Sequence, residues 1–177
     1  GMAVPMIFVS ADQINGQLPY NVEGNATMTL RTPGGISDNF YLTIQPTAPR
    51  IFRVGTASTQ TGVAAVVRSV NNEYVTPTNP IHPNDQIVIY ATGLGRTSPA
   101  VEAGTPAPSD PLPAAIVPPK VALGDVSLEV EYAGLAPGQV GVYQINARVP
   151  SNVPQGMEVP LVIRQSDAGT SLYVRVV

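Results

Sequence analysis

The sequence predicts an all-β, immunoglobulin-like sandwich, with one complete repeat preceded by a partial one. Three observations lead there. Apolar and polar residues alternate along most of the chain, as on strands with one buried face. No stretch of about 11 or more residues keeps helical i, i+3, i+4, i+7 spacing without an interrupting Pro or Gly. The 19 prolines and 16 glycines punctuate these runs at short intervals, giving many short strands separated by turns.

In chain order, Met6-Ile7-Phe8-Val9 is the first expected strand. Residues 26–31 and 40–44 follow, joined across Thr32-Pro33-Gly34-Gly35, which has hairpin-turn chemistry. Residues 63–70 and 73–75 flank Asn71-Asn72, a pair that tolerates left-handed backbone. Residues 86–91 are mostly apolar and are expected to be a central strand. Residues 95–119, rich in Pro, Ala and Ser, carry no strand signal and are expected to connect one sheet to the other, with a binding loop as the alternative. Strands are expected again at 120–123, 126–132, 143–149, 159–164 and 172–177.

Composition excludes several classes of function. Of 177 residues, 44% are apolar, enough for a packed core. The net charge is −3, Lys120 is the only lysine, and the arginines are scattered singly. Nucleic acids and anionic membranes need clustered basic residues, so neither is an expected partner. There is no cysteine, hence no disulfide or thiolate metal site. No apolar run approaches the roughly 18 residues of a membrane span. The apolar run 2–9 is too short for a secretory leader and lacks a basic flank, so the sequence is expected to be a mature or trimmed part of a longer precursor.

An internal repeat organises the chain. Gln13-Ile14-Asn15 recurs as Gln144-Ile145-Asn146, Leu18-Pro19 as Val149-Pro150, and Asn21-Val22 as Asn152-Val153. Gly24 matches Gly156, Leu30-Arg31 matches Ile163-Arg164, and Tyr41-Leu42-Thr43-Ile44 matches Tyr173-Val174-Arg175-Val176. Length differences fall at turn residues, where insertions disturb least. Residues 1–48 are therefore expected to be a partial repeat containing only C-terminal strands, and 49–177 a complete sandwich. A two- or three-stranded sheet is marginal alone in water. Residues 3–46 should accordingly pack on the second copy, pair with another chain, or belong with strands upstream.

Several strings together resemble a bacterial family. They are Val9-Ser10-Ala11-Asp12-Gln13-Ile14-Asn15, Leu18-Pro19-Tyr20, Ala48-Pro49-Arg50-Ile51-Phe52, Asn79-Pro80 and Ala91-Thr92-Gly93-Leu94-Gly95, with Ala133-Gly134-Leu135-Ala136-Pro137-Gly138 and Gly141-Val142-Tyr143-Gln144-Ile145-Asn146. The family is the uncharacterised Solibacter-type C-terminal domain of large secreted bacterial proteins. The resemblance implies an extracellular or cell-envelope location, a place at the C-terminal end of longer proteins, and no assigned activity. That family's pattern begins with further strands upstream, which this chain lacks. Residues 80–95 are also similar to the first strand of the IPT/TIG immunoglobulin-like domains.

Candidate chemistry is sparse. His82 is the only histidine, and it lies between Ile81 and Pro83 in what reads as a surface turn. No Gly-x-Ser-x-Gly elbow accompanies it, so no Ser-His-Asp catalyst is expected. Gly93-Leu94-Gly95 lacks the third glycine and following helix of a dinucleotide site; its glycines are expected to make a positive-φ turn. Glu129 and Glu131 share one face of the 126–132 strand, opposite Val126, Leu128, Val130 and Tyr132, and read as a solvated face without calcium-loop spacing. Gln144 and Asn146, like Gln13 and Asn15, are expected to satisfy backbone groups of a neighbouring bend, with sugar contact as the sharper alternative. Tyr41, Tyr132 and Tyr173 fit the alternating core face at least as well as an exposed sugar platform.

No catalytic, cofactor-binding or metal-binding residue, and no cofactor, follows from these residues. The expected function is a structural spacer or adhesion module, not an enzyme. The alternative is a carbohydrate- or protein-binding module using the loops after Gly95 and at 133–141. The partners left open are other domains of the same protein, a surface glycan or protein, and a second copy paired through open strand edges.

Overall fold

In the computed structural model, which describes residues 1–55 and 62–177, the alternating runs form strands, and there is no helix among the described residues. The N-terminal part holds β1 (Met6–Val9), β2 (Ile14–Gly16), β3 (Gly24–Met28), β4 (Arg31–Thr32), β5 (Gly35–Ile36) and β6 (Phe40–Ile44). Then come β7 (Arg50–Ile51), β8 (Arg53–Val54), β9 (Val63–Ala64), β10 (Val66–Arg68), β11 (Glu73–Tyr74), β12 (Gln86–Thr92) and β13 (Thr97–Ser98). The chain closes with β14 (Ala114–Ala115), β15 (Lys120–Leu123), β16 (Val126–Ser127), β17 (Glu129–Leu135), β18 (Tyr143–Arg148), β19 (Gly156–Gln165) and β20 (Ala168–Val176).

Two antiparallel sheets share one core. The larger has eight strands in the order β11-β10-β12-β18-β17-β14-β13, with β7 also paired to β12. The smaller has the order β16-β15-β19-β20. Ile87, Ile89, Ile145 and Ala147 of the large sheet meet Val121, Leu123, Leu161 and Ile163 of the small one, each at most 2% exposed. Burying one such branched side chain contributes about 1.5–3 kcal/mol, so this layer dominates the stability. The chain is thus all-β, with two packed sheets. β12 is central as its apolar pattern predicts, paired to β10 through Val66–Ile89 and to β18 through Ile89–Ile145.

The turn chemistry is realised where it was expected. Asn72 has φ 56°, and Gly93 and Gly95 have φ 79° and 80°. Residues 126–132 depart from expectation. They divide at Leu128 into β16 of the small sheet and β17 of the large one. Leu128 is buried, and its N–H donates to Val121 O at 2.8 Å. One alternating run here serves both sheets, and periodicity alone carries no sign of the crossing.

Residues 95–119 do cross between sheets, but they are not structureless. β13 pairs with β14, and Ala114 pairs with Gly134 of β17, which extends the edge of the large sheet. Two-residue strands of Thr-Ser and Ala-Ala are too short to show alternation.

The N-terminal part forms three two-stranded ladders, β1-β2, β3-β6 and β4-β5, and no closed sandwich of its own. It rests on the main sandwich near residues 17–23. Gly104 N–H donates to Gln17 Oε1 at 2.7 Å, Gln17 Nε2 donates to Tyr20 Oη at 2.6 Å, and Arg96 pairs with Glu23 at 3.1 Å. Tyr20 packs against the core. Beside it, Tyr143 is 3% exposed and donates to Gly95 O. Burial first, and then the neighbouring Tyr20, push the Tyr143 phenol far above its ordinary pKa. Burial also raises that of Tyr20, against the hydrogen bond from Gln17.

Candidate functional site

His82 lies in a turn, as expected: Asp85 N–H donates to His82 O at 3.1 Å, and Asn84 has φ 68°. His82 Nδ1 is 3.7 Å from Asp85 Oδ2, and the side chain is half exposed. Asp85 is committed to other partners. Arg68 grips it with Nε to Oδ2 at 2.7 Å and Nη2 to Oδ1 at 3.2 Å, and His82 N–H adds a bond of 2.8 Å. Arg68 Nη1 also donates to Asn79 Oδ1 at 2.9 Å, while Asn79 Nδ2 reaches Tyr74 O at 2.9 Å. This network pins β10, β11 and the lead-in to β12.

Partial burial opposes the charge on Asp85. The hydrogen bonds from Arg68 and His82 N–H and the Arg68 charge outweigh it and hold the pKa below the usual carboxylate value. A depressed folded-state pKa contributes stability that is present above the unfolded value, about 3.9, and lost as pH falls through the folded one. Asp85→Asn should therefore lower stability by about 1–3 kcal/mol at pH 7. The gap to the wild type should shrink below about pH 4. Urea melts at pH 7 and pH 3 measure both; an equal gap at the two pH values contradicts the assignment.

Glu129 and Glu131 are both exposed, and Val130 and Tyr132, which alternate with them, are partly buried, so the expected solvated face is present. Register slips between Val130 and Tyr132, which leaves Glu131 at an irregularity in β17. Glu131 Oε1 accepts from Arg148 Nη2 at 3.0 Å, and Oε2 accepts from Gln86. The bonds from Gln86 and Arg148 hold the Glu131 pKa below its ordinary value, against a small desolvation effect. Among the described residues, no three His, Asp or Glu side chains gather as a metal site.

The amides differ from expectation. Gln144 Nε2 donates to Asn146 Oδ1 at 3.1 Å, so the two bond each other along the strand and not a neighbouring bend. Gln13 Nε2 donates to Asn15 Oδ1 in the same way, at 2.6 Å. The tyrosines need a correction as well. Tyr41 is 76% exposed and Tyr173 70%, so neither faces the core, and Tyr132 is only half-buried. Alternation gives the two faces of a strand but does not say which is covered.

The feature that composition and motif did not reveal is a cleft on the outer face of the large sheet. It has a volume of about 420 Å³ and is lined by Tyr74, Tyr90, Asn72, Gln139 and Gln144, with apolar residues between them. Pairing assembles it. Tyr74 lies opposite Val67, Val67 opposite Val88, and Tyr90 opposite Gln144. Tyr90 is two residues beyond Val88 and shares its face. The far wall is the 136–142 loop, which backbone bonds hold in place: Ala136 N to Val142 O at 2.9 Å, Gly138 N to Ala107 O at 2.8 Å, and Ala107 N to Gln139 O at 2.9 Å. Tyr132 Oη donates to Leu135 O at 3.0 Å at the base of this loop. The period-2 positions of Tyr90 and Gln144 were legible in the sequence; their adjacency required the strand pairing.

Compared with protein-family models, with curated proteins and with solved structures, the chain finds no match.

Proposed function

We propose that the chain is a non-catalytic structural or adhesion module from the C-terminal end of a secreted or cell-surface bacterial protein. In this proposal residues 3–46 are the tail of an immunoglobulin-like repeat whose complete version ends at Val177. The motif resemblance supports the location. The observation that carries the joining role is a correspondence of pairing combined with a contrast of burial. Gly24 lies opposite Ile44 in the β3-β6 ladder, and Gly156 opposite Val176 in β19-β20, which are matched positions. Phe8 and Val9 lie opposite Asn15 and Ile14, as Tyr132 and Ala133 lie opposite Asn146 and Ile145.

The contrast lies in what covers these ladders. β18 has β12 on its far edge and β19 has β15, whereas β1-β2 and β3-β6 are two-stranded. Ile145 and Ile163 are 0% exposed, but the matched Ile14 and Leu30 are 44% and 41% exposed. Unpaired strand edges beside exposed apolar side chains accept further strands. Residues 3–46 are the joining surface, and the occupant is another β-sheet, here a second copy of the chain.

Light scattering across a concentration series tests this. The chain should dimerise as concentration rises, and Ile14→Lys combined with Leu30→Lys should return it to monomer without lowering the melting temperature of the main sandwich. A monomer at every concentration, or a dimer indifferent to both substitutions, refutes the joining role.

A further inference from the structure

We infer that the cleft between Tyr74, Tyr90 and the 136–142 loop binds a neutral oligosaccharide. This is separate from the joining role of residues 3–46, since none of those residues lines the cleft.

The lining sets the ligand class. No Asp, Glu, Lys, Arg or His side chain lines the cleft among the described residues. A charged ligand would find no counter-ion there to offset the water it gives up on contact. A purely apolar ligand would strand the amides of Asn72, Gln139 and Gln144 in the same way. A ligand that is uncharged, rich in hydroxyls and apolar on its ring faces satisfies both conditions, and a sugar chain has that chemistry. Tyrosine offers a flat apolar face with a polar edge, and amides both donate to and accept from hydroxyls.

Geometry and rigidity agree. The volume of about 420 Å³ falls within the range of roughly 300–1,000 Å³ usual for small-molecule sites. Gln144 gives one N–H to Asn146, and its Oε1 has no protein partner among the described residues. The Tyr74 and Tyr90 hydroxyls are likewise without protein hydrogen bonds among the described residues. Each is thus available to a ligand. The loop wall is already fixed by the backbone bonds through Ala107, Ala136 and Gly138, so little ordering is required on binding. The segment containing Ala107 belongs to the 95–119 connection, which buttresses the site without lining it.

The test is calorimetric titration of the full chain with cellotetraose, xylotetraose, chitotetraose and maltotetraose, and with tetragalacturonate as a charged control. At least one neutral tetramer should bind at one site per chain, and the uronate should not. Tyr74→Ala and Gln139→Ala alter exposed side chains and should leave the melting temperature in place. Each should weaken binding about tenfold. Tyr90→Ala should abolish it. Absence of binding by every neutral tetramer at millimolar concentration overturns the inference. So does preference for the uronate, or binding that Tyr74→Ala and Gln139→Ala leave unchanged. Neither a dimer nor a monomer in light scattering bears on this result.

Discussion

Replacing Ile145 by alanine should cost about 2–5 kcal/mol of unfolding free energy, while replacing Ile14 by alanine should cost less than about 0.5 kcal/mol in the monomer. The two residues occupy matched positions in the Gln-Ile-Asn strings, so local sequence does not separate them. Their surroundings do. Ile145 is 0% exposed, between β12 and β17, with Ile89 directly across on one side and Ala133 on the other. Truncating it removes the transfer free energy of the lost carbons and leaves a cavity that the two sheets cannot fully close. Ile14 is 44% exposed, and Val9 is its cross-strand partner. Its truncation opens no cavity, because no second layer lies over it. Urea unfolding at low protein concentration gives both numbers. Should Ile14→Ala approach the loss seen with Ile145→Ala, residues 3–46 would be covered in the monomer, and the joining proposal would fall with that result. At high concentration, pairing through residues 3–46 should make Ile14→Ala costly in dimer affinity instead.

This contrast also marks how far the sequence can be read. Alternation placed β12, β15, β18, β19 and β20, because burial of one strand face follows directly from the period of 2. Positive φ at Asn72, Gly93 and Gly95 was legible because few residue types tolerate it. Coverage was not legible. Ile14 and Ile145 read alike, and Tyr173 reads as core although it is 70% exposed, since whether a second layer exists is a long-range property. The split at Leu128 was hidden for a related reason: both halves of one alternating run bury apolar side chains, but in different sheets. The cleft was the least visible feature. Tyr74, Tyr90 and Gln144 are up to 70 residues apart in sequence and are brought together only by the ladders of the large sheet. Gln165 is a similar case. It lies just past the expected 159–164 strand, and it is 2% exposed and donates to Leu94 O at 3.0 Å and Val117 O at 2.6 Å, tying the crossing segment to β19.

Gly93→Ala should be the most damaging single-atom-scale change, costing more than about 3 kcal/mol, while Gly138→Ala should cost about 1–2 kcal/mol. Both glycines have left-handed backbone, with φ 79° and 73°, so each substitution carries the strain of a Cβ in that region. Only Gly93 is also crossed by another segment. A Cβ there would fall on the backbone carbonyl of Ala48, whereas one on Gly138 meets nothing within 4 Å. The obstacle is backbone, which cannot rotate away as a side chain would. It is also bonded, since Ala48 N–H donates to Gly93 O at 2.8 Å. The displacement would spread in two directions. Leu94, 1% exposed, anchors the turn in the core, and residues 46–48 lead directly into the N-terminal part. The substitution should therefore loosen the attachment of residues 3–46 as well as the sandwich. Hydrogen exchange at Ala48 N–H should accelerate in Gly93→Ala and stay at the wild-type rate in Gly138→Ala. Equal destabilisation by the two changes would mean that the crossing of residues 46–49 over the turn does not hold in solution, and that residues 3–46 are tethered instead through contacts such as those of Gln17, Tyr20 and Glu23.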